Sequence, residues 1–402
     1  SPGVGSMLNY GSAALTLVLA RFVGRRTNLD YWEAAYELGL LVAMGISLGY
    51  QEFNPQTLGT GMVALGLGAQ LMGTVAARKR HYLSSWHYIP LAYGALGLGL
   101  GHLSFTATTG LYSLAVGLIA LAVARRKLEL RPLGYGGLGL LSLGVYELVI
   151  YRMLQASGGL PGDGLTLLAL VGGAIATLYL LCSSWMQRCT KLTASAIHTV
   201  SLLHWLLAVT LGALAMMMGQ SPKGLWLWLG VATLLSLYAW LRGNYRWFPL
   251  YKATSEEGQL EPVPNDHHSY KQWTWSGLII ATIAIPYGIE QLFPNLILIR
   301  RWGALLACGL SFIVHAQPWQ RLGWPQRPWR RMALGWPILS ILLNATTIKT
   351  QSLLLVGAFY AVMAQRLRAV RLSYVSLGLL NWSLLRYLLD NGWLTPLWSG
   401  TL

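Results

Sequence analysis

TGLYSLAVGLIALAVARRK, residues 109–127, decides the fold class of this chain. The segment carries no charge until Arg125, where three consecutive cations end it. An uncharged, apolar run of roughly 17–25 residues spans a lipid bilayer as a single α-helix. Cations that follow such a run mark its cytoplasmic end. The segment is therefore predicted to cross a membrane and to end at the cytoplasmic face.

The whole chain has a composition similar to that of this segment. Of its 402 residues, 54% are hydrophobic and 10% are charged, whereas soluble domains carry about 25% charged residues. The formal net charge of +16 would by itself suit a nucleic-acid-binding protein. The cations, however, occur in small clusters between apolar runs, as membrane topology requires. The composition predicts an integral membrane protein and argues against nucleic acid as a partner.

Apolar runs long enough to span a bilayer follow one another from end to end of the chain. They predict an all-α, polytopic membrane protein with about fourteen transmembrane helices. The runs are 7–24, 31–50, 58–77, 84–105, 108–124, 132–153, 164–187, 194–218, 223–241, 273–293, 297–315, 331–347, 351–366 and 372–389.

Basic loops alternate with neutral loops along these runs. ARKR at 77–80 and QRLRAVR at 365–371 follow odd-numbered runs, whereas SFTATTG at 104–110 follows an even-numbered run. Because basic loops stay in the cytoplasm, both chain ends are predicted on the outer or lumenal side.

A repeat of about 50 residues accompanies this alternation. TLGTGMVALGLGAQLMGTVAARKR at 57–80 resembles the segment at 109–127, since both consist of an outer turn, a helix rich in small residues and a basic inner end. Either the chain is an array of duplicated helical hairpins, or leucine-rich hairpins with inner arginines simply look alike. The predicted organisation is an array of about nine helices over 1–241, a cytoplasmic loop over 242–272 and an array of about five helices over 273–402. Ser1 and the abrupt end of the chain predict a processed protein or a part of a longer array.

Three acidic residues precede the second apolar run. Asp30 occupies an N-cap position with Glu33 three residues on, and Glu37 lies one turn deeper. Helix capping and interfacial ion pairing account for such a pattern. A proton or cation site is the alternative.

Other charged residues fall inside the apolar runs, where an uncompensated charge is costly and usually faces a partner or a wet cavity. They predict an outward-facing polar pocket in which carboxylates meet arginines, or else separate side chains that extend to the interface or form single ion pairs. The candidate residues are Glu147, Arg152, Glu290, Arg300, Arg301, Arg386 and His102.

Histidines suggest a cofactor-binding alternative. His198 and His204 lie six residues apart on one predicted helix and face different sides, so each is a candidate axial ligand of haem or a chlorophyll-type pigment. A hydrogen-bonded core histidine is the simpler interpretation. His267 and His268 lie in the cytoplasmic loop without further metal ligands in a recognisable order, so neither a metal site nor a resident cofactor is predicted.

Reaction motifs such as GxxxxGK[ST], HExxH and CxxC are missing. The sequence GISLG at 45–49 matches GxSxG, but it lies inside the apolar run 31–50 and not at the strand-to-helix turn that this motif needs, so no catalytic residue is predicted. We therefore expect a non-enzymatic structural, scaffold or assembly subunit of a larger membrane complex, with bound lipids and other integral membrane subunits as partners and room for a peripheral partner at loop 242–272. The alternatives are a transporter or lipid-handling protein that uses the charge cluster, a pigment- or haem-binding protein and, last, an enzyme that acts on lipid-linked substrates.

The leucine- and glycine-rich hairpins with arginine at their inner ends, together with AQPWQRLGWPQRPWRR at 316–331, resemble repetitive multi-spanning bacterial proteins, including cyanobacterial ones. The resemblance implies a bacterial inner membrane or a thylakoid membrane, and it assigns no functional residue.

Overall fold

The structure, a computed structural model, describes residues 55–78, 88–126, 130, 132–156, 159–249, 251–253, 260–262, 268–294, 297–343 and 349–393. The predicted spans 7–24 and 31–50 lie outside the described residues. Each of the other predicted runs coincides with a helix, which confirms the all-helical class for the described part of the chain.

Fourteen helices are described. They are α1 (Pro55–Arg78), α2 (Ile89–Gly101), α3 (Thr109–Arg126), α4 (Leu133–Gln155), α5 (Pro161–Leu181), α6 (Ser183–Thr190), α7 (Ala194–Met217), α8 (Pro222–Arg242), α9 (His268–Leu292), α10 (Ile297–Ala316), α11 (Trp319–Leu322), α12 (Gln326–Leu343), α13 (Thr350–Leu367) and α14 (Val370–Asp390). Between α8 and α9, strands β1 (Tyr251–Ala253) and β2 (Leu260–Pro262) pair antiparallel, with Lys252 opposite Glu261.

The chain divides into two compact units, Ser1–Ser221 and Pro222–Leu402. The predicted division lies one helix later, at 241. In the structure α8 packs on α9, which places it in the second unit. The predicted loop 242–272 contains the strand pair, and its last residues form the first turn of α9.

Five of the described helices are long and apolar enough to cross a membrane, namely α3, α4, α5, α7 and α8. The other predicted runs form helices that are shorter or more polar. The helix α2 has 13 residues, and α12 begins with QRPWRR. A shorter or more polar run still forms a helix, so the described helices outnumber those with the length and composition of a membrane span.

Exposed apolar side chains support the assignment of these helices to a membrane. In the most apolar stretch of α7 only 28% of the residues are buried, and Leu203 and Met217 are 59% and 84% exposed. Apolar faces of this extent need a cover, which lipid provides. The first unit, which contains α7, therefore has an apolar surface of the kind found in membrane proteins.

Within the second unit, a tryptophan-rich cluster closes the turn between α10 and α12. Trp319 and Trp329 stack with ring centroids 3.9 Å apart, and Trp324 donates its indole N–H to the carbonyl of Trp240 at 2.8 Å. The short helix α11 ends at Gly323, whose φ of +96° is the left-handed conformation that favours glycine.

Candidate polar site in the first unit

Paired glycines bring α3 and α4 together. A Cβ atom on Gly110 would lie 2.5 Å from the carbonyl oxygen of Gly144, and one on Gly117 would lie 2.9 Å from that of Gly137. The two glycines of each helix are seven residues apart, which is about two turns. The two antiparallel backbones therefore touch at two levels. Side chains between these levels are forced into close contact across the interface.

Ser113 and Glu147 meet beside the Gly110–Gly144 contact. Ser113 lies between the two glycines of α3, and Glu147 lies one turn beyond Gly144 on α4. The Ser113 hydroxyl donates to Oε2 of Glu147 at 2.6 Å. Ser113 is fully buried and Glu147 is 8% exposed, so the carboxyl group is held away from the surface of the unit.

His102 completes the site from a third helix. It forms the C-cap of α2, where Nδ1 lies 2.8 Å from the carbonyl oxygen of Leu98. The other ring nitrogen, Nε2, lies 2.8 Å from Oε1 of Glu147. The His102 side chain is 33% exposed, against 9% for that of Glu147, so His102 is the accessible side of the pair.

These contacts fix the proton content of the site. A carbonyl oxygen only accepts hydrogen bonds, so Nδ1 of His102 carries a proton. The contact between Nε2 and Oε1 needs a second proton, carried either by the imidazolium or by a neutral carboxylic acid. In both arrangements the pair has zero net charge, which lowers the cost of burying it. His102 and Glu147 therefore hold one exchangeable proton between them.

A second polar network occupies another face of α4. Tyr146 places its hydroxyl 3.1 Å from Nδ1 of His204 on α7. Ser142 lies 2.9 Å from the hydroxyl of Tyr179 on α5, and both hydroxyls reach the carbonyl oxygen of Leu138. The helix α4 thus contributes Glu147 to the contact with His102 on one face and takes part in a hydroxyl-rich network on another.

The two candidate axial ligands sit in different surroundings. His204 is half-buried, and its ring lies against Tyr146 and Tyr179 with centroids 5.7 and 5.9 Å away. Because Nδ1 of His204 faces Tyr146, Nε2 is the nitrogen that an axial bond would use. His198 is half-buried on the same helix. In the part of the chain that the structure describes, no group of three or more His, Cys, Asp or Glu residues is arranged to hold a metal ion.

The predicted arginine partners Arg300, Arg301 and Arg386 belong to the second unit. Arg386 pairs with Asp390 one turn along α14, with Nε and Oδ1 3.1 Å apart, and both side chains are about half exposed. Arg152 is exposed near the end of α4, and Glu290 is exposed near the end of α9. Arg300 and Arg301 lie near the start of α10, and their side chains are outside the described set. Of the predicted cluster, the structure joins His102 and Glu147.

Sequence reasoning missed Ser113, Tyr146 and Tyr179 as members of polar networks. A signal for Ser113 was present, because it lies between Gly110 and Gly117 on the small-residue face of an apolar helix. Asp30, Glu33 and Glu37 lie outside the described residues. No family model, curated protein or solved structure gives a significant match to this chain, so its function has to be inferred from the residues themselves.

Proposed function

We propose that this chain is a non-enzymatic membrane protein that moves a solute or a lipid in a step coupled to the proton held between His102 and Glu147. The observation that carries the proposal is the 2.8 Å contact between Nε2 of His102 and Oε1 of Glu147. Ionisable residues inside membrane proteins are costly, and they commonly serve as proton or ion sites.

The difference in exposure between the two partners supports a direction for proton entry. His102 is accessible at the end of α2, whereas Glu147 lies behind it between α3 and α4. The proton that the pair holds can move between Nε2 of His102 and Oε1 of Glu147 along the existing hydrogen bond. A solute or lipid that contacts Glu147 would then sense its protonation state.

The proposed topology has fourteen spans with both chain ends outside or in the lumen, in a bacterial inner membrane or a thylakoid membrane. Glu147 lies about 21 Å along α4 from the end that follows the basic segment 125–131, using a rise of 1.5 Å per residue. The positive-inside rule places that basic segment in the cytoplasm. His102 and Glu147 would therefore receive protons from the outer side.

Proton flux into proteoliposomes tests the proposal. The vesicles are made from native membrane lipids, contain the full chain and a trapped pH-sensitive dye, and face a solute extract of the native cells, because a coupled step needs its solute or lipid. We expect the wild-type protein to dissipate an imposed pH gradient faster than protein-free vesicles do, and Glu147→Gln to abolish the difference. Glutamine has the size of glutamate and can both accept and donate a hydrogen bond, but its amide group does not take up or release a proton near neutral pH.

The matched control is Asp390→Asn, which removes an exposed carboxylate at the end of α14. It should leave the flux at the wild-type rate. A flux that is equal in wild-type, Glu147→Gln and protein-free vesicles would contradict the proposal, as would equal losses in both variants.

A scaffold subunit is the second candidate, and α14 favours it. Among the 21 residues of this helix only Ser376 and Ser383 are buried, while Tyr374 and Trp382 are 71% and 44% exposed. Aromatic side chains of this kind are enriched where proteins associate. Purification from native membranes in mild detergent, followed by mass spectrometry, should then recover partners in a fixed ratio. A chain that purifies alone would count against this role.

A further inference from the structure

A groove opens where α13 turns into α14, in the second unit. Its volume is about 540 Å³. Its polar lining residues are Gln365, Arg368, Ser373 and Ser376, and the other lining residues are apolar and include Ala361, Leu377 and Leu380. A groove with both polar and apolar lining residues suits a molecule that has a polar headgroup and a hydrocarbon tail.

Charge favours an anionic head. Arg368 and Arg371 are exposed on either side of the turn, and among the described residues no carboxylate lies within ion-pair distance of either. The one acidic residue of α14, Asp390, is engaged with Arg386 at the opposite end of the helix, roughly 30 Å away. The groove is therefore lined by one cation, Arg368, with Arg371 close to it in the chain, and no acid in the described part of the chain pairs with either.

The backbone at Arg368 adds an independent observation. Arg368 has a φ of +50°, in the left-handed region, at the C-cap of α13. Glycine is the usual residue there, and another side chain costs about 1–2 kcal/mol. Lys191 has the same conformation, so the backbone strain alone assigns no ligand, and what distinguishes Arg368 is that it lines an open groove.

We infer that this groove binds the headgroup of an anionic phospholipid, with Arg368 against the phosphate and an acyl chain along the apolar side. This inference rests on the proposed fourteen-span topology, in which the positive-inside rule puts this end of α13 and α14 in the cytoplasmic leaflet. Anionic lipids of that leaflet favour binding at basic sites between transmembrane helices. A guanidinium group donates two parallel hydrogen bonds to a phosphate, which a lysine cannot match.

The backbone provides a clean variant for the test. Arg368→Gly removes the guanidinium and relieves the left-handed strain, so the variant should fold at least as well as the wild-type protein. Lys191→Gly is the matched control, because Lys191 is a cation in the same conformation, with a φ of +58°, at the C-cap of α6 in the first unit.

Native mass spectrometry of the purified full chain, titrated with phosphatidylglycerol or phosphatidylcholine, gives the readout. We expect wild-type protein and Lys191→Gly to retain phosphatidylglycerol in preference to phosphatidylcholine. Arg368→Gly should bind phosphatidylglycerol about fivefold more weakly, the factor that corresponds to about 1 kcal/mol for one arginine near an anionic surface. Ala361→Trp, which fills the apolar part of the groove, should also weaken binding.

Three results would overturn the inference. One is equal phosphatidylglycerol affinity in wild-type protein and Arg368→Gly. The second is equal retention of phosphatidylcholine and phosphatidylglycerol by the wild-type protein. The third is displacement of the lipid by inorganic phosphate, which would assign the groove to a free anion.

Discussion

Glu147 and His102 are 45 residues apart in the chain, yet Oε1 and Nε2 lie 2.8 Å apart and share a proton. Neither α2 nor α4 can form this site alone, and the glycine contacts between α3 and α4 supply the third partner, Ser113. The site is thus a property of three packed helices. Predictions about its stability concern the packing as much as the polar atoms.

Ser113→Ala tests the hydrogen bond that orients the carboxyl group. The variant loses a 2.6 Å donor to a buried acceptor, so we expect the free energy of unfolding to fall by about 1–2 kcal/mol. Unfolding of the purified protein in detergent measures this. Ser195→Ala is the control, because the Ser195 hydroxyl is exposed and donates to the nearby Thr193. Its free energy of unfolding should equal that of the wild-type protein. Equal stability of all three proteins would show that the Ser113 bond does not support the site.

The glycine contact between α3 and α4 gives a second prediction. Gly110→Ala would place a methyl group 2.5 Å from the carbonyl oxygen of Gly144, so the two helices must separate. We expect a lower midpoint of thermal unfolding and a weaker proton flux. The control Gly136→Ala adds the same methyl group on α4, where no atom lies within 4 Å, and it should stabilise the helix by up to about 1 kcal/mol. A midpoint for Gly110→Ala as high as that for Gly136→Ala would contradict the close approach.

The turn after α11 gives a third prediction. Gly323 has a φ of +96°, and a Cβ atom added to it would lie 2.5 Å from Oδ1 of Asn244. Gly219 also has a positive φ, +74°, but an added Cβ atom would meet nothing within 4 Å. Gly219→Ala should therefore cost only the backbone strain of about 1–2 kcal/mol. Gly323→Ala should cost more, because Asn244 must also move, and denaturant unfolding compares the two variants. Equal losses would mean that Asn244 adjusts freely.

The surroundings of His204 give a fourth prediction, on cofactors. Tyr146 faces Nδ1 of His204 in a hydroxyl-rich network, which gives this ring nitrogen a hydrogen-bond partner within the protein. We therefore expect protein purified from native membranes to show no visible absorption band. A band that is present in the wild-type protein and lost in His204→Ala would contradict this expectation and assign His204 as an axial ligand.

Sequence reasoning was most successful for the positions of the helices. The runs predicted between residues 58 and 389 all coincide with helices, because in lipid a backbone must satisfy its own hydrogen bonds and the helix does so locally. It was less successful at the points where one helix ends and the next begins. The run 164–187 was predicted as one span, whereas α5 ends at Leu181 and α6 begins at Ser183. The short helix α11 was also missed, because its end depends on Gly323 docking against Asn244.

The sequence by itself determined an all-helical, apolar chain and its candidate charged residues, since apolar length and charge spacing are local properties. Only the tertiary structure decided that Glu147 meets His102 and Ser113, while Arg386 turns to Asp390 on its own helix. The physical reason is that these helices are apolar on nearly every side, so their sequences do not specify which face meets a neighbour. Close glycine contacts such as Gly110 with Gly144 set that rotation, and they exist only once the helices have packed.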